Sequence, residues 1–401
     1  MGCFSEEEKG IEDKQGSEIK LIVATDLHYI SPSLTDHGEY FTRMVENADG
    51  KYMTFCEEII DAFIEEVIDQ HPSALILSGD ITFNGAKLSH QDLAKKLKMI
   101  EDAGIPVLVL PGNHDLNNKM AASFQGNGYY LVESIESKGF EEIYEDCGGN
   151  LLIEKDPNSL SYLAKITSDL WILMVDVNTK GKSNRVLDET IDWIEKQLQA
   201  ARSHNICVIS VTHQNLLRHN EMFYNGFVIE NGDSLIDLYD KYDVLLNLSC
   251  HMHIQHIEEK GKLNEIATSS LMVSPNQYGI ITVSHDKIEY HTKTVDVAKW
   301  AENKSRSDLT NFMEESYDFF RKSSSDKLRQ TFINDPEGEQ IADFVADLNC
   351  AYFGGYLDKV KWDEKSYEKI QSLNSYFSLY IRSIVEEGLK NHQKYRIDLK
   401  K

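Results

Sequence analysis

Ile19-Lys20-Leu21-Ile22-Val23-Ala24-Thr25-Asp26-Leu27-His28 is the stretch that decides the fold. A short apolar run rich in Ile, Val and Leu reads as a buried strand, and it ends abruptly in a carboxylate and an imidazole. Four more segments repeat the plan. Residues 74–77 lead into Ser78-Gly79-Asp80, and residues 106–110 into Pro111-Gly112-Asn113-His114-Asp115. Residues 206–211 lead into Thr212-His213, and residues 244–248 into Ser249-Cys250-His251-Met252-His253. In α/β sheets, ligands gather at the C-terminal ends of strands.

Between these runs lie stretches with helical apolar spacing, at 55–68, 88–100 and 188–202. A further buried strand is expected at 171–175, and hairpin-like strands at 160–166, 279–284 and 288–294. Strand alternating with helix predicts an α/β core with mixed sheets, read as two packed sheets flanked by helices. From about residue 297 the pattern turns helical, with candidate helices at 308–321, 325–332, 338–357, 364–373 and 376–391. The expected organisation is an acidic tether over 1–18, a catalytic domain over 19–296 and a helical domain over 297–401.

The donor types suit transition metals, since imidazole and carboxylate bind Zn, Fe, Mn or Ni. Asp26 with His28, and His251 with His253, are two apart, a spacing that puts both side chains of an extended segment on one face. With Asp80, Asn113 and His213 they make seven candidate ligands, too many for one four-coordinate ion. Two ions sharing one carboxylate account for all seven, and paired ions suit phosphoryl chemistry.

Asp-x-His, Gly-Asp, Gly-Asn-His-Asp, a lone His and His-x-His, in that order, resemble the calcineurin-like metallophosphoesterases, most closely the bacterial class III cyclic nucleotide phosphodiesterases. The resemblance spans about residues 19–295. It implies a four-layer αββα sandwich with a binuclear site of Fe, Mn or Zn. It also implies that Asp26, His28 and His253 hold one ion, that Asn113, His213 and His251 hold the other, and that Asp80 bridges them. Asn113 and His114 would bind substrate. His114 would stabilise the transition state or protonate the leaving oxygen, and Asp115 would orient it. The implied reaction is in-line attack by a metal-bridging hydroxide on a small phosphodiester, with a cyclic nucleotide as the leading substrate. The alternatives are a phosphomonoesterase, a phospholipid-directed phosphohydrolase or, in another class, a non-catalytic scaffold. The family pattern has Gly before His-x-His, where this chain has Cys250.

A net charge of −25 argues against binding a nucleic-acid duplex through its backbone. The six cysteines form no CxxC pair and read mostly as buried free thiols. Gly2-Cys3 before a polar acidic run resembles the start of a mature bacterial lipoprotein. Two placements follow as expectations, an extracytoplasmic protein tethered to a membrane through Cys3 or a cytoplasmic one. His219 reads as a loop residue, and Asn84 as a turn or loop support beside Gly85.

Overall fold

The computed structural model describes residues 18–178 and 184–399. Cys3 and nearly all of the expected tether lie outside them. The described strands are β1 (Ile19–Ala24), β2 (Ala74–Leu77), β3 (Val107–Val109), β4 (Ala122–Gln125), β5 (Gly128–Leu131), β6 (Leu152–Lys155), β7 (Tyr162–Lys165), β8 (Leu170–Val175), β9 (Cys207–Thr212), β10 (Leu246–Ser249), β11 (His256–Lys260), β12 (Leu263–Ala267), β13 (Gln277–Val283), β14 (Lys287–Thr294) and β15 (Lys394–Asp398). The α-helices are α1 (Glu39–Asn47), α2 (Cys56–Gln70), α3 (Lys87–Asp102), α4 (Ser137–Ile143), α5 (Asp188–Ser203), α6 (Gly232–Tyr242), α7 (Val297–Asn303), α8 (Phe312–Thr331), α9 (Gly338–Gly354), α10 (Glu364–Ser372) and α11 (Tyr376–Glu386).

Two mixed sheets organise the chain, in the orders β15-β14-β13-β1-β2-β3 and β11-β12-β10-β9-β8-β7-β6. Period-2 alternation sorts their side chains into layers. Leu21 and Val23 of β1 face Ile172, Met174, Ile209 and Val211 of the other sheet. Ile22 and Ala24 face the opposite way, onto Ile59, Ile60 and Phe63 of α2 and Leu93 and Leu97 of α3. On the far side, Leu173 and Val175 of β8 pack on Trp193 and Ile194 of α5 and Leu235 of α6. The order helix, sheet, sheet, helix is the four-layer sandwich that the resemblance implies. A separate apolar cluster joins Phe344, Leu348 and Tyr352 of α9 with Ile370 of α10 and Ile381 and Ile384 of α11.

Parallel pairing positions the site. β1 runs parallel to β2, and β2 to β3. In the second sheet β8, β9 and β10 are parallel neighbours. Parallel neighbours end on the same edge, so the segments after β1, β2, β3, β9 and β10 converge.

Two features of the last hundred residues depart from the sequence reading. The break expected between 321 and 325 is absent, and α8 runs through it. Ser323 and Ser325 donate to the carbonyls of Phe320 and Lys322, at 2.8 and 3.3 Å, so the serines bond back onto the helix. Asn349 of α9 donates to Ser324 at 2.9 Å and adds tertiary support. The chain also ends in a strand: β15 pairs antiparallel with β14 and returns the helical region to the first sheet.

Candidate metal centre

The loops after β1 and β2 continue the pairing of their strands. Asp26 N–H donates to Gly79 O at 3.1 Å, and His28 N–H to Asp80 O at 3.0 Å. Beyond the strand ends the backbone leaves the extended conformation. Asp26, His28, Asp80, His251 and His253 all have positive φ, between 41° and 66°. This replaces the one-face argument of the sequence: left-handed turns, not strand alternation, bring each pair together. Such residues cost roughly 1–3 kcal/mol each and persist where their surroundings over-determine them.

The seven expected ligands fall into two adjoining groups. His28 Nε2 lies 3.2 Å from His253 Nε2. Asp26 Oδ1 lies 3.4 Å from His253 Nε2 and 3.9 Å from His28 Nε2. In the second group, His213 Nε2 is 3.2 Å from Asp80 Oδ2 and 3.1 Å from Asn113 Oδ1. Asp80, His213 and His251 each offer a donor atom within 4.8 Å of the others. The His213 and His251 rings meet edge to face at 5.1 Å. Asp26, His28, Asp80 and His213 are buried, and His253, His251 and Asn113 are partly so. The groups are linked directly, since His251 N–H donates to Asp26 Oδ2 at 3.3 Å.

These residues fit transition-metal ions. Donors around a tetrahedral ion at about 2.1 Å stand about 3.4 Å apart, close to the separations here. Asp26 Oδ1 and His251 Nδ1 are buried without a hydrogen-bond partner. Unmatched buried polar atoms are costly, and an ion would satisfy them.

The electrostatics agree. Burial, then the Lys51 charge, holds His28 well below the ordinary histidine value. Burial, then the His213 charge, pulls His251 down to about 4. Both are therefore neutral at pH 7, the form of imidazole that binds metal. Burial acts to raise Asp80, but the charges of His213 and His114 outweigh it and hold the carboxyl well below its usual range. Burial acts to lower His213, and the adjacent Asp80 and Cys250 overcome it and raise the imidazole well above normal. An ion entering the second group therefore displaces the His213 proton.

Two glycines are sterically required here. Gly79 has φ +110°, and a Cβ there would lie 2.4 Å from His213 Nδ1. A Cβ on Gly112 would lie 2.2 Å from Asp80 Oδ1.

Cys250 lies behind His213. Its thiol donates to Ser78 O at 3.0 Å, and its Sγ is 3.1 Å from His213 Nδ1, the ring atom away from Asp80 and Asn113. Cys250 is not among the positive-φ residues; the left-handed turn begins one residue later, at His251. The side chain is thus tolerated where the family pattern has Gly.

His114 is open to solvent, with 40% of its side chain exposed. Its Nδ1 bonds to Phe83 O at 3.0 Å, and its Nε2 lies 3.9 Å from Asp80 Oδ2. The expectation that Asp115 orients His114 is corrected. The Asp115 carboxylate accepts from Gly112 N–H at 2.8 Å, Thr82 N–H at 2.9 Å, Ile81 N–H at 3.2 Å and Thr82 Oγ1 at 2.7 Å. It ties the loop after β3 to the loop after β2, while a backbone carbonyl fixes the imidazole.

Sequence reasoning passed over Lys51, whose buried ammonium sits 3.4 Å from Asp49 and acts on His28. It also passed over Phe83, 6.4 Å from the His28 ring, and Phe227, 5.1 Å from the His251 ring. No local motif announces any of the three. Asn84 spans to Met120 O and Ala122 O at 3.3 and 3.4 Å, a loop support. His219 lies in a loop but is fully buried, at the junction with α11. All five described cysteines are free.

The calcineurin-like phosphoesterase model matches residues 19–255. A model for the C-terminal domain of cyclic nucleotide phosphodiesterase matches residues 296–391. A curated relative from Ruthia magnifica subsp. Calyptogena magnifica, named a probable cyclic nucleotide phosphodiesterase, is 36% identical over 64 residues. That stretch is 16% of this chain and 26% of the relative, so the match spans about a quarter of the relative's length. Among solved structures, a dimetal phosphatase from Danio rerio aligns over 69% of this chain and 96% of its own, with a TM-score of 0.50 and 9% identity. At that identity the likeness concerns the fold alone.

Proposed function

The chain belongs to the calcineurin-like phosphoesterase family, a hydrolase family, and from that premise we propose that it opens the phosphodiester bond of a cyclic nucleotide. One observation carries the choice of substrate: the family match is followed, in the same chain, by a match to the C-terminal domain of cyclic nucleotide phosphodiesterase. The start of that second match at residue 296 supports a division into a catalytic part over 19–296 and an appended part over 297–401.

In this reading Asp26, His28 and His253 would hold one ion, and His213, His251 and Asn113 the other, with Asp80 available to both. Two bound transition-metal ions supply Lewis-acid charge to the phosphoryl group. The chain's own residues then divide the remaining work. Asp26 and Asp80 contribute two negative charges, so a site loaded with two divalent ions is net positive and attracts phosphate despite the acidic protein. The Phe83 carbonyl accepts from His114 Nδ1 and so keeps the proton there. That leaves Nε2 facing substrate, where the doubly protonated ring donates Nε2–H to a phosphoryl oxygen or passes that proton to the leaving oxygen and becomes the neutral Nδ1–H form. Phe83 and Phe227 flank the two groups and offer aromatic faces to a base.

The test is a panel of cyclic nucleotides, nucleoside monophosphates and phospholipid headgroup esters at matched metal loading, with products separated by chromatography. The expected outcome is ring opening of a cyclic nucleotide to its monophosphate with the highest kcat/KM. Faster release of inorganic phosphate from a monophosphate would overturn the reading.

A further inference from the structure

A second set of buried imidazoles and carboxylates lies where β11, the loop after β9 and the end of α11 meet. His256 opens β11 and is 1% exposed. Its Nδ1 lies 3.1 Å from His219 Nδ1 and 3.7 Å from Glu258 Oε1. Its Nε2 lies 2.8 Å from Oε2 of Glu387, the C-terminal cap of α11. His256, Glu258 and Glu387 each offer a donor atom within 4.8 Å of the others.

Hydrogen bonding does not account for this arrangement. His256 Nε2 and Glu387 Oε2 are both buried without a hydrogen-bond partner, although they are only 2.8 Å apart. The pair is close, but the His256 N–H is not aligned on the Glu387 oxygen. His219 Nε2 is also unpartnered, 3.3 Å from Glu265 Oε2. Glu265 is already satisfied by Leu216 N–H, Leu217 N–H and Asn247 Nδ2. The two rings meet at their Nδ1 atoms, but neither Nε2 makes an in-line approach to a carboxylate.

The nearby positive charges, His219 and Lys390, do not offset the burial of the carboxyls. Burial, then the charge of His219, holds His256 well below the ordinary histidine value, so it is neutral. Burial pushes Glu387 up to about 7, and Glu258 is raised by the same cause. Carboxyl groups strained in this way gain from a cation between them. Imidazole with carboxylate is a donor set for zinc-like ions, and a set supplied wholly by protein side chains is typical of structural sites.

We infer that His256, Glu258 and Glu387 bind a third divalent ion of the zinc class. The ion fastens the C-terminal helices to the loops that carry the candidate metal centre. His256 is three residues past His253, and its Nδ1 contacts His219, six past His213, so the clamp reaches both segments. Asn220 already makes the neighbouring polar link, donating to Tyr352 OH at 3.0 Å and Ser383 Oγ at 3.1 Å.

The experiment uses the full chain crystallised with zinc and measured above and below the zinc absorption edge. An anomalous peak between His256 and Glu387, apart from any peaks at the two other groups, is expected. Elemental analysis of zinc-loaded protein should give one ion fewer per chain in Glu387→Gln than in the unaltered protein. The absence of the peak, or an unchanged ion count in a folded Glu387→Gln, would overturn the inference. If Glu387→Gln fails to fold, the anomalous map of the unaltered chain still decides. Peaks at the other two groups are read separately, so failure of the binuclear reading would be distinguishable.

Discussion

The two regions rich in buried histidine and carboxylate are built on different plans. Around Asp80, each donor follows a parallel strand within a few residues, and at Asp26, His28, Asp80, His251 and His253 the backbone turns left-handed to present it. Around His256, the donors come from a strand and a helix end, spread from residue 256 to residue 387. The first is a product of sheet topology. The second exists only because the helical tail packs back against the sandwich. A site of the first kind is fixed once the core folds. A site of the second kind depends on docking, which suits a clamp better than a reaction centre.

The contrast can be broken at several points. Asp80→Asn keeps the shape but removes the charge that faces His213 and His114. A fall in kcat/KM of about 10³-fold or more, with the fold intact by circular dichroism, is expected from loss of the shared ligand. Activity within about tenfold of the unaltered enzyme would show that Asp80 does not hold the centre together.

His114→Gln should lower kcat by about 10²–10³-fold with little change in metal content, because it removes the ring atom that faces substrate and no ion ligand. Loss of bound metal in that variant would instead make His114 a ligand.

Gly79→Ala forces a Cβ against the His213 ring at positive φ. A loss of about 2–4 kcal/mol in urea unfolding is expected, accompanied by weaker metal binding. Neutral stability would mean that the loop after β2 can shift freely.

His90 sharpens the comparison as a buried histidine that needs no ion. Its Nδ1 bonds to Tyr144 OH and its Nε2 to Asp115 O, both at 3.0 Å. Burial lowers it to about 4. Its folded value lies below the unfolded one, so its contribution to stability is present above about pH 6.5 and is lost as pH falls through about 4. Between pH 7 and pH 4 the unaltered protein should lose about 2–3 kcal/mol more than His90→Gln, read from urea midpoints. Parallel pH profiles would contradict this.

Much of the sandwich was legible because its strands are short apolar runs followed at once by polar residues. The candidate centre was legible for the same reason, and Asp26 through His253 could be named in order. How Asp26 and His28 come together was not, because φ at a strand end is set by hydrogen bonds from the neighbouring loop. The work of Asp115 was hidden likewise, since its partners are backbone amides around residues 81, 82 and 112. β15 escaped because Lys394–Asp398 is mostly exposed and polar, so it lacks an apolar signal. The cluster at His256 left no trace in spacing, because only tertiary packing brings Glu387 to β11.

The most direct test of the proposed activity compares bis(p-nitrophenyl) phosphate with p-nitrophenyl phosphate at identical metal loading. A higher kcat/KM for the diester, abolished by chelation and restored by metal, is the predicted result. Equal or higher efficiency on the monoester would contradict it.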